Sequence, residues 1–575
     1  MAAPPNAYDV EQLDIDKEAN EAHPWSAQIG RPCSRPYPSP FQDGLQGPTL
    51  RKVGGKMNPT KQICFTAITL LVALAIPVSL AADDEGDHHR KHHHKHHHYE
   101  LIDLGTFGGP SSWLATTNEV TEPGAINQVL NNQGTVVGWG DTSTLQQPVG
   151  PLGCFNFGCF LPLAFQWQKG VLTDLGVLPG GDASAAFWIS DNGLIAEQAT
   201  NGLVDPLLPD FLEERAVLWK DGKAIDLGTL GGNESGALSV NDRGQVVGFA
   251  TNTIPDPLSI LATQIRAFLW QDGTMQDLGT LGSGNDSDAE FVNERGQVAG
   301  WSFTKATTNP ATGSPTTDPF LWEHGTMQDL GTLGGTLGFP YGLNNRGQVI
   351  GISNLAGDLT GHPFLWKRGS LIDLGTLGGS YGIAMGINDG GEVVGGANNK
   401  NDQAFLAFLW KDGVMTNLGT LNGDDCSVAF HINSEGQIVG NSFPCAGGPL
   451  HGFLWQNGFM TDLNALLPPG SSLTPEGDGA VINDRGEIAE MGVLPDGDIH
   501  AFLLVPCDEN HQDIKDCDFS EVEESASAIR VGSQPVEQNP TTASPRIPGV
   551  NPMMRFFSHR TMPWYRNLGV QPPAK

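Results

Sequence analysis

FLWKRGSLIDLGTLGGSYGIAMGINDGGEVVG, residues 364–395, reads as four short strands joined by tight turns. Phe364-Leu365-Trp366 passes through a Lys-Arg-Gly turn into SLIDLG. A Thr-Leu-Gly-Gly linker leads to YGIAMGIN, and an Asp-Gly-Gly turn leads back into EVVGG. The runs are β-branched or aromatic and are bounded by Gly, Asn and Asp, the pattern of strands and hairpins. Helical periodicity is nearly absent from the region.

Recognisable copies recur eight times. The acidic position of the DLG step falls at Asp103, Asp174, Asp226, Asp277, Asp329, Asp373, Asn417 and Asp462, at spacings of 71, 52, 51, 52, 44, 44 and 45 residues. The Phe-Leu-Trp step ends at Trp167, Trp219, Trp270, Trp322, Trp366, Trp410 and Trp455, with a last degenerate copy at Leu504. An Asn-x-x-Gly hairpin follows, clearest as VNDRGQVVG (240–248), VNERGQVAG (292–300), LNNRGQVIG (343–351) and INSEGQIVG (432–440). A repeat of about 40–50 residues carrying four strands is the signature of a propeller blade. The expected fold class is therefore all-β, a β-propeller of eight four-stranded blades over 99–506. A blade is covered on both faces, which explains why FLW and QVVG are continuously apolar instead of alternating. The array opens with YELIDLG at 99–105, which has no Phe-Leu-Trp strand before it. It ends with HAFLLVP at 500–506, which has no DLG strand after it. The two are expected to pair and close the ring, so that no edge is left exposed.

Outside the array the chain divides simply. Residues 1–56 are Pro-rich and polar and read as a disordered upstream extension, with Met57 as the expected true start. Residues 57–82 carry Lys61, an apolar run over 63–75 and a small-residue site near Ala81 or Ala82, the pattern of a secretory signal peptide. Residues 83–98 form a His-rich linker, and 507–575 hold a local cysteine pair and then a polar, Pro-rich tail that reads as disordered. The expected location is extracellular or periplasmic, with membrane contact only through the signal segment if it stays uncleaved. A formal net charge of −33 argues against nucleic acid, whose phosphates such a surface repels.

The His tract offers His92, His93, His94, His96, His97 and His98 as loose ligands for a divalent transition metal. The other reading is a solvated linker that uses no metal; no further cofactor is implied. Six cysteines fall in the presumed mature chain, in the local pairs Cys154 with Cys159, Cys426 with Cys445 and Cys507 with Cys517. An even count in an exported chain points to disulfides.

DLGTLGG, AFLW and INDxGQVVG together resemble the bacterial probable-extracellular HAF-repeat family. His500-Ala501-Phe502 keeps the eponymous triplet, with variants at His362-Pro363-Phe364 and His451-Gly452-Phe453. The resemblance covers about 99–506 and implies export and a repeat architecture. It transfers no reaction and no catalytic residue.

Other chemistry is weaker. Gly-Thr-Leu-Gly-Gly is repeated between strands without a following Lys, so it reads as a linker and not as a phosphate loop. The Asp of DLG is expected to anchor its own linker, and the Trp of FLW to sit in the core. No metalloprotease His-Glu-x-x-His pair is present. Large insertions fall between QVVG and the next FLW in the first four repeats, at about 140–163, 198–215, 251–266 and 304–318. Phe155, Phe157, Asp205, Asp210, Glu213 and Glu214 lie in the first two and are the candidate binding residues. Long connections on an economical scaffold commonly carry function. The expected function is a non-enzymatic binding or scaffolding module for an extracellular glycan or protein. The alternatives are a structural component of envelope or matrix, and a secreted enzyme acting on carbohydrate or peptide.

Overall fold

The structure, a computed structural model, describes residues 95–115, 127–145, 160–207, 212–259, 261–310, 312–468, 470–471, 473–475, 479–512, 517, 521–523 and 529–530. The upstream extension, the signal segment, His92 to His94, Cys154, Phe155, Phe157, Cys159, Asp210 and most of the carboxy-terminal tail lie outside these residues.

The chain is all-β, built mostly of successive antiparallel four-stranded sheets. The third repeat is representative: Gly231–Val240, Val246–Pro255, Thr263–Gln271 and Thr274–Asp277 pair in that order. The fourth and fifth sheets are joined by one parallel pair, Thr317 with Leu337. The last sheet is assembled from both ends of the array. Tyr99–Asp103 lies antiparallel to Ile499–Pro506, with Tyr99 opposite Pro506 and Asp103 opposite Phe502. The pairing expected from the two half-repeats is thus present.

One fit recurs between the second and third strands of the sheets. In six repeats the glycine of the QVVG step lies opposite the phenylalanine of FLW, as in Gly248 with Phe268, Gly300 with Phe320 and Gly440 with Phe453. A Cβ on Gly300 would come within 2.7 Å of the Phe320 ring and 2.0 Å of the Asp288 carbonyl. Phe165, Phe268, Phe320, Phe364, Phe408, Phe453 and Phe502 are fully buried, each contributing about 2–3 kcal/mol. The second repeat exchanges both partners, with Glu197 opposite Val217. Burial first of all pushes that carboxyl well above its usual range; the eighth repeat replaces the glycine alone, with Glu490 opposite Phe502. Trp167, Trp270, Trp322, Trp366 and Trp410 are core residues, as their doubly covered strands require.

The linkers follow the expected chemistry. Asp103, Asp174, Asp226, Asp277, Asp329 and Asp373 each accept a hydrogen bond from the glycine amide two residues on. Asp462 instead caps the short helix Leu463–Leu466. Two disulfides, Cys426–Cys445 and Cys507–Cys517, match the local pairs.

The Asn-x-x-Gly turns tie the sheets together. Within its own turn Asn344 Oδ1 accepts from the amides of Arg346 and Gln348, while Gly347 takes φ +73°. Its Nδ2 donates to the Asn388 carbonyl of the next turn at 3.0 Å. Asn241, Asn293, Asn388 and Asn433 donate onward in the same way. Asn131 donates to Ser190, and Asn192 carries the link to Asp242. Asn483 donates to the Asn131 carbonyl at 2.9 Å, joining the last turn to the first. An aspartate could accept within the turn but could not donate to its neighbour. That double task is why the position holds asparagine.

The HAF histidines serve the same architecture. His500 Nδ1 lies 2.8 Å from Asp103 Oδ1, and His362 Nδ1 lies 3.0 Å from Asp373. His500 is raised above its usual value, chiefly by the Asp103 hydrogen bond, and Asp103 is lowered by the same partner against the opposing effect of burial. The histidine's contribution is complete below about pH 6.5 and fades as pH rises through its folded value. The aspartate's is complete above about pH 4 and fades as pH falls through its own. The stability difference between the native chain and His500→Gln is therefore expected to peak near pH 5–6, at no more than about 1 kcal/mol for so exposed an aspartate. Chemical denaturation of both proteins across pH checks this; a difference that does not vary with pH contradicts it.

Candidate functional site

Within the described residues, the insertions of the first four repeats are mostly strand, where loops were expected. The arms Val136–Leu145 and Phe160–Gln168, Ile195–Val204 and Leu212–Lys220, Val246–Pro255 and Thr263–Gln271, and Val298–Thr308 and Pro315–Glu323 run nine to eleven residues. Their counterparts in the fifth repeat, Val349–Leu355 and Gly361–Lys367, have seven. The physical reason is register. Pairing in the second repeat continues past a bulge to Val204 opposite Leu212, so the inserted residues satisfy their backbone groups as ladder.

These long hairpins gather the exposed apolar side chains. Leu145, Leu203, Val204, Leu207, Ile254 and Leu258 are 45–58% exposed, and Leu359 on the fifth hairpin is 76% exposed. Among the described residues the only other large apolar side chains so exposed are Val171 and Val414. Both of these sit at turns between third and fourth strands, at the opposite ends of the strands.

The three predicted acids that are described do not face the solvent. Asp205, Glu213 and Glu214 are buried where the second hairpin leans on the third repeat. Glu234 Oε2 accepts from the Glu214 amide at 2.8 Å, and Gln198 Nε2 donates to Glu214 Oε2. Glu213 pairs with Arg215 at 2.7 Å. Burial, then repulsion from Glu234 and Asp205, holds the Glu214 carboxyl well above the usual range. Burial likewise pushes Glu234 up to about 9.

A feature missed in the sequence explains the arrangement. Asp205-Pro206-Leu207 recurs one repeat later as Asp256-Pro257-Leu258. Each aspartate accepts from its own leucine amide, at 2.7 and 2.8 Å, a turn that presents the leucine outward. The next repeat supplies a matching Asn233-Glu234-Ser235 or Asn285-Asp286-Ser287. Asn285 Nδ2 donates to Asp256 Oδ2, and Asp286 Oδ1 accepts from the Ile265 amide at 2.9 Å. Burial, opposed by that bond, leaves Asp286 at about 7.

His96 and His97 lie in the strand Lys95–His97, paired with Glu521–Glu523. The His98 carbonyl accepts from the Cys507 amide at 2.8 Å. Among the described residues, one set of three acid, Cys or His donors has its atoms within 4.8 Å: Asp425, Cys426 and Cys445. Both of those cysteines are consumed in a disulfide. Among the described residues no helix is long and apolar enough to cross a membrane.

No family model matches the chain, and no curated protein matches it. Solved structures that it resembles include the β-propeller domain of the Trilobed protease from Pyrococcus furiosus. That match has 10% identity, 59% of this chain and 95% of that one covered, and a TM-score of 0.37. Pyrococcus horikoshii acylaminoacyl peptidase matches at 12% identity over 65% of this chain and 58% of that one, with a TM-score of 0.34. A family PL25 ulvan lyase matches at 9% identity over 70% of this chain and 95% of that one, with a TM-score of 0.30. At these scores the likeness carries neither a ligand nor a reaction to this chain.

Proposed function

We propose that the chain is an exported, non-enzymatic binding module: a closed propeller of eight four-stranded blades that takes its ligand on the face of the long hairpins. The observation that carries this is the collection of exposed apolar side chains at Leu145, Leu203, Val204, Leu207, Ile254 and Leu258. Clustered exposed apolar residues rimmed by polar ones mark interaction surfaces, whereas scattered ones need no explanation. The pairing of Tyr99–Asp103 with Ile499–Pro506 and the link from Asn483 to Asn131 support the closed eightfold reading. Two local disulfides are compatible with an oxidising compartment. The enzymatic reading has less to stand on, because His362 and His500 are committed to Asp pairs and the hairpin acids are buried.

The test is a variant in which Leu203, Val204, Leu207, Ile254 and Leu258 are all changed to Ser. Native chain and variant are compared on a panel of immobilised polysaccharides and unfolded polypeptides. These side chains are exposed, so the fold is expected to persist, read by an unchanged circular dichroism spectrum. Retention on the panel is expected to fall at least tenfold, a loss of about 1.4 kcal/mol or more. Equal retention by the two proteins would refute the assignment.

A further inference from the structure

The hairpin face carries charge as well as apolar side chains. In each antiparallel sheet the Asn turn and the turn between third and fourth strands share one end, so the long hairpins and the DLG aspartates share the other. Most lysines and arginines stand at the turn end, as Lys169, Arg243, Arg346 and Lys367 do. At the hairpin end Arg215 and Arg266 are already paired, with Glu213 and Asp277. Lys305 and Lys400 are the remaining bases there among the described residues, whereas Asp174, Asp182, Asp226 and Asp329 are exposed. One place lacks the base that its counterparts have. Two residues before the third-strand phenylalanine, Arg266 pairs with Asp277, His362 with Asp373 and His500 with Asp103. The fourth repeat has Asp318 at that position. Burial, then the charge and hydrogen bond of Asp329, push Asp318 up to about 7. No base among the described residues is paired with either acid.

The chain itself contains the complement of such a surface. Ile529 and Arg530 pair with Met460 and Phe459 on the outer strand of the seventh sheet, and residues 531–575 follow. In a chain of net charge −33, those residues hold Arg546, Arg555, Arg560, Arg566 and Lys575 against a single acid, Glu537. Phe556-Phe557 and Trp564-Tyr565 stand between the arginines. Aromatic residues and arginine are the side chains that anchor interfaces, and opposite charge steers them together. Reach is ample. The stretch from Arg530 to Trp564 extends up to ~110 Å, against ~33 Å for a ten-residue strand. We propose that the hairpin face is the docking surface for the chain's own segment 553–566. Its arginines meet the exposed acids and the Asp318–Asp329 pair, and its aromatic rings cover Leu207, Ile254, Leu258 and Leu359. Tethering holds the segment at about millimolar effective concentration, so weak contacts suffice. The proposal rests on the reading of this face as a binding surface and names its resident occupant.

The test places a photo-crosslinking amino acid at Leu207 of the full chain or, in a separate protein, at Val171 on the opposite end of the strands. Each is irradiated alone at low salt, and the adducts are located by peptide mass spectrometry. Position 207 is expected to give at least about ten times more adduct within 553–566 than position 171, in monomeric protein. The triple variant Arg555→Glu, Arg560→Glu and Arg566→Glu, carrying the crosslinker at 207, leaves every propeller residue else untouched. Its adduct is expected to fall at least about tenfold, because attraction to the acidic face becomes repulsion. No adduct within 553–566, or equal adduct from 207 and 171, would overturn the proposal. Adduct undiminished in the triple variant would overturn it too, and adduct found only in covalent dimers would give the face to a second copy. Failure of the binding reading looks different. Adduct from 207 in a chain that no panel member retains supports the docking and removes the external ligand, whereas normal retention without adduct overturns the docking alone.

Discussion

Deleting Tyr99–Asp103 is expected to cost about 5 kcal/mol of folding stability. The strand pairs along its whole length with Ile499–Pro506. Its loss removes several ladder hydrogen bonds at about 1 kcal/mol each and the burial of Tyr99 at about 2 kcal/mol. Tyr99 is 5% exposed and packs with Leu504, Phe502 and Ile488. The deletion also takes away Asp103, the partner of His500. An uncovered Ile499–Pro506 becomes an exposed apolar edge, so aggregation is expected alongside the lost stability. The denaturant midpoint of the deleted chain checks this. A midpoint unchanged from the full chain would mean that the two ends do not depend on each other.

The second large effect concerns the asparagine turns. Asn344→Ala leaves the amides of Arg346 and Gln348 without their acceptor and breaks the link to the Asn388 carbonyl. Losing several buried hydrogen bonds at one position is expected to cost about 3 kcal/mol. Asn483→Ala removes the equivalent bonds to Arg485, Glu487 and the Asn131 carbonyl. In a closed ring every link is alike, so the two substitutions should cost nearly the same. Paired unfolding curves decide the matter. A much smaller cost for Asn483→Ala would point to an open array in which the last turn carries no load.

Much of this architecture was legible in the sequence, because the repeat states its own register. DLG, FLW and Asn-x-x-Gly recur in fixed order, and each has a local physical reason: an anchored linker, a doubly covered strand, a turn that needs Gly at positive φ. The two incomplete half-repeats at 99–105 and 500–506 announced their pairing for the same reason. The site was harder to read. Acids at 205, 213 and 214 in a polar insertion look solvent-facing when no partner is in view. Their burial depends on Glu234 and Gln198, which belong to the next repeat and the preceding strand. The apolar residues that face outward instead, Leu203, Val204 and Leu207, resemble core residues in the sequence. Only the doubled Asp-Pro-Leu, 51 residues apart, was a signal available beforehand.

The claim that the hairpin face binds is tested most directly by a photo-crosslinking amino acid placed at Leu258 or, in a separate protein, at Val414. The two positions are equally exposed, at 45%, and lie at opposite ends of the strands. Each protein is irradiated with whichever panel member the native chain retains. Crosslinking from position 258 and not from 414 is the predicted result. Crosslinking from 414 and not from 258 would contradict the account.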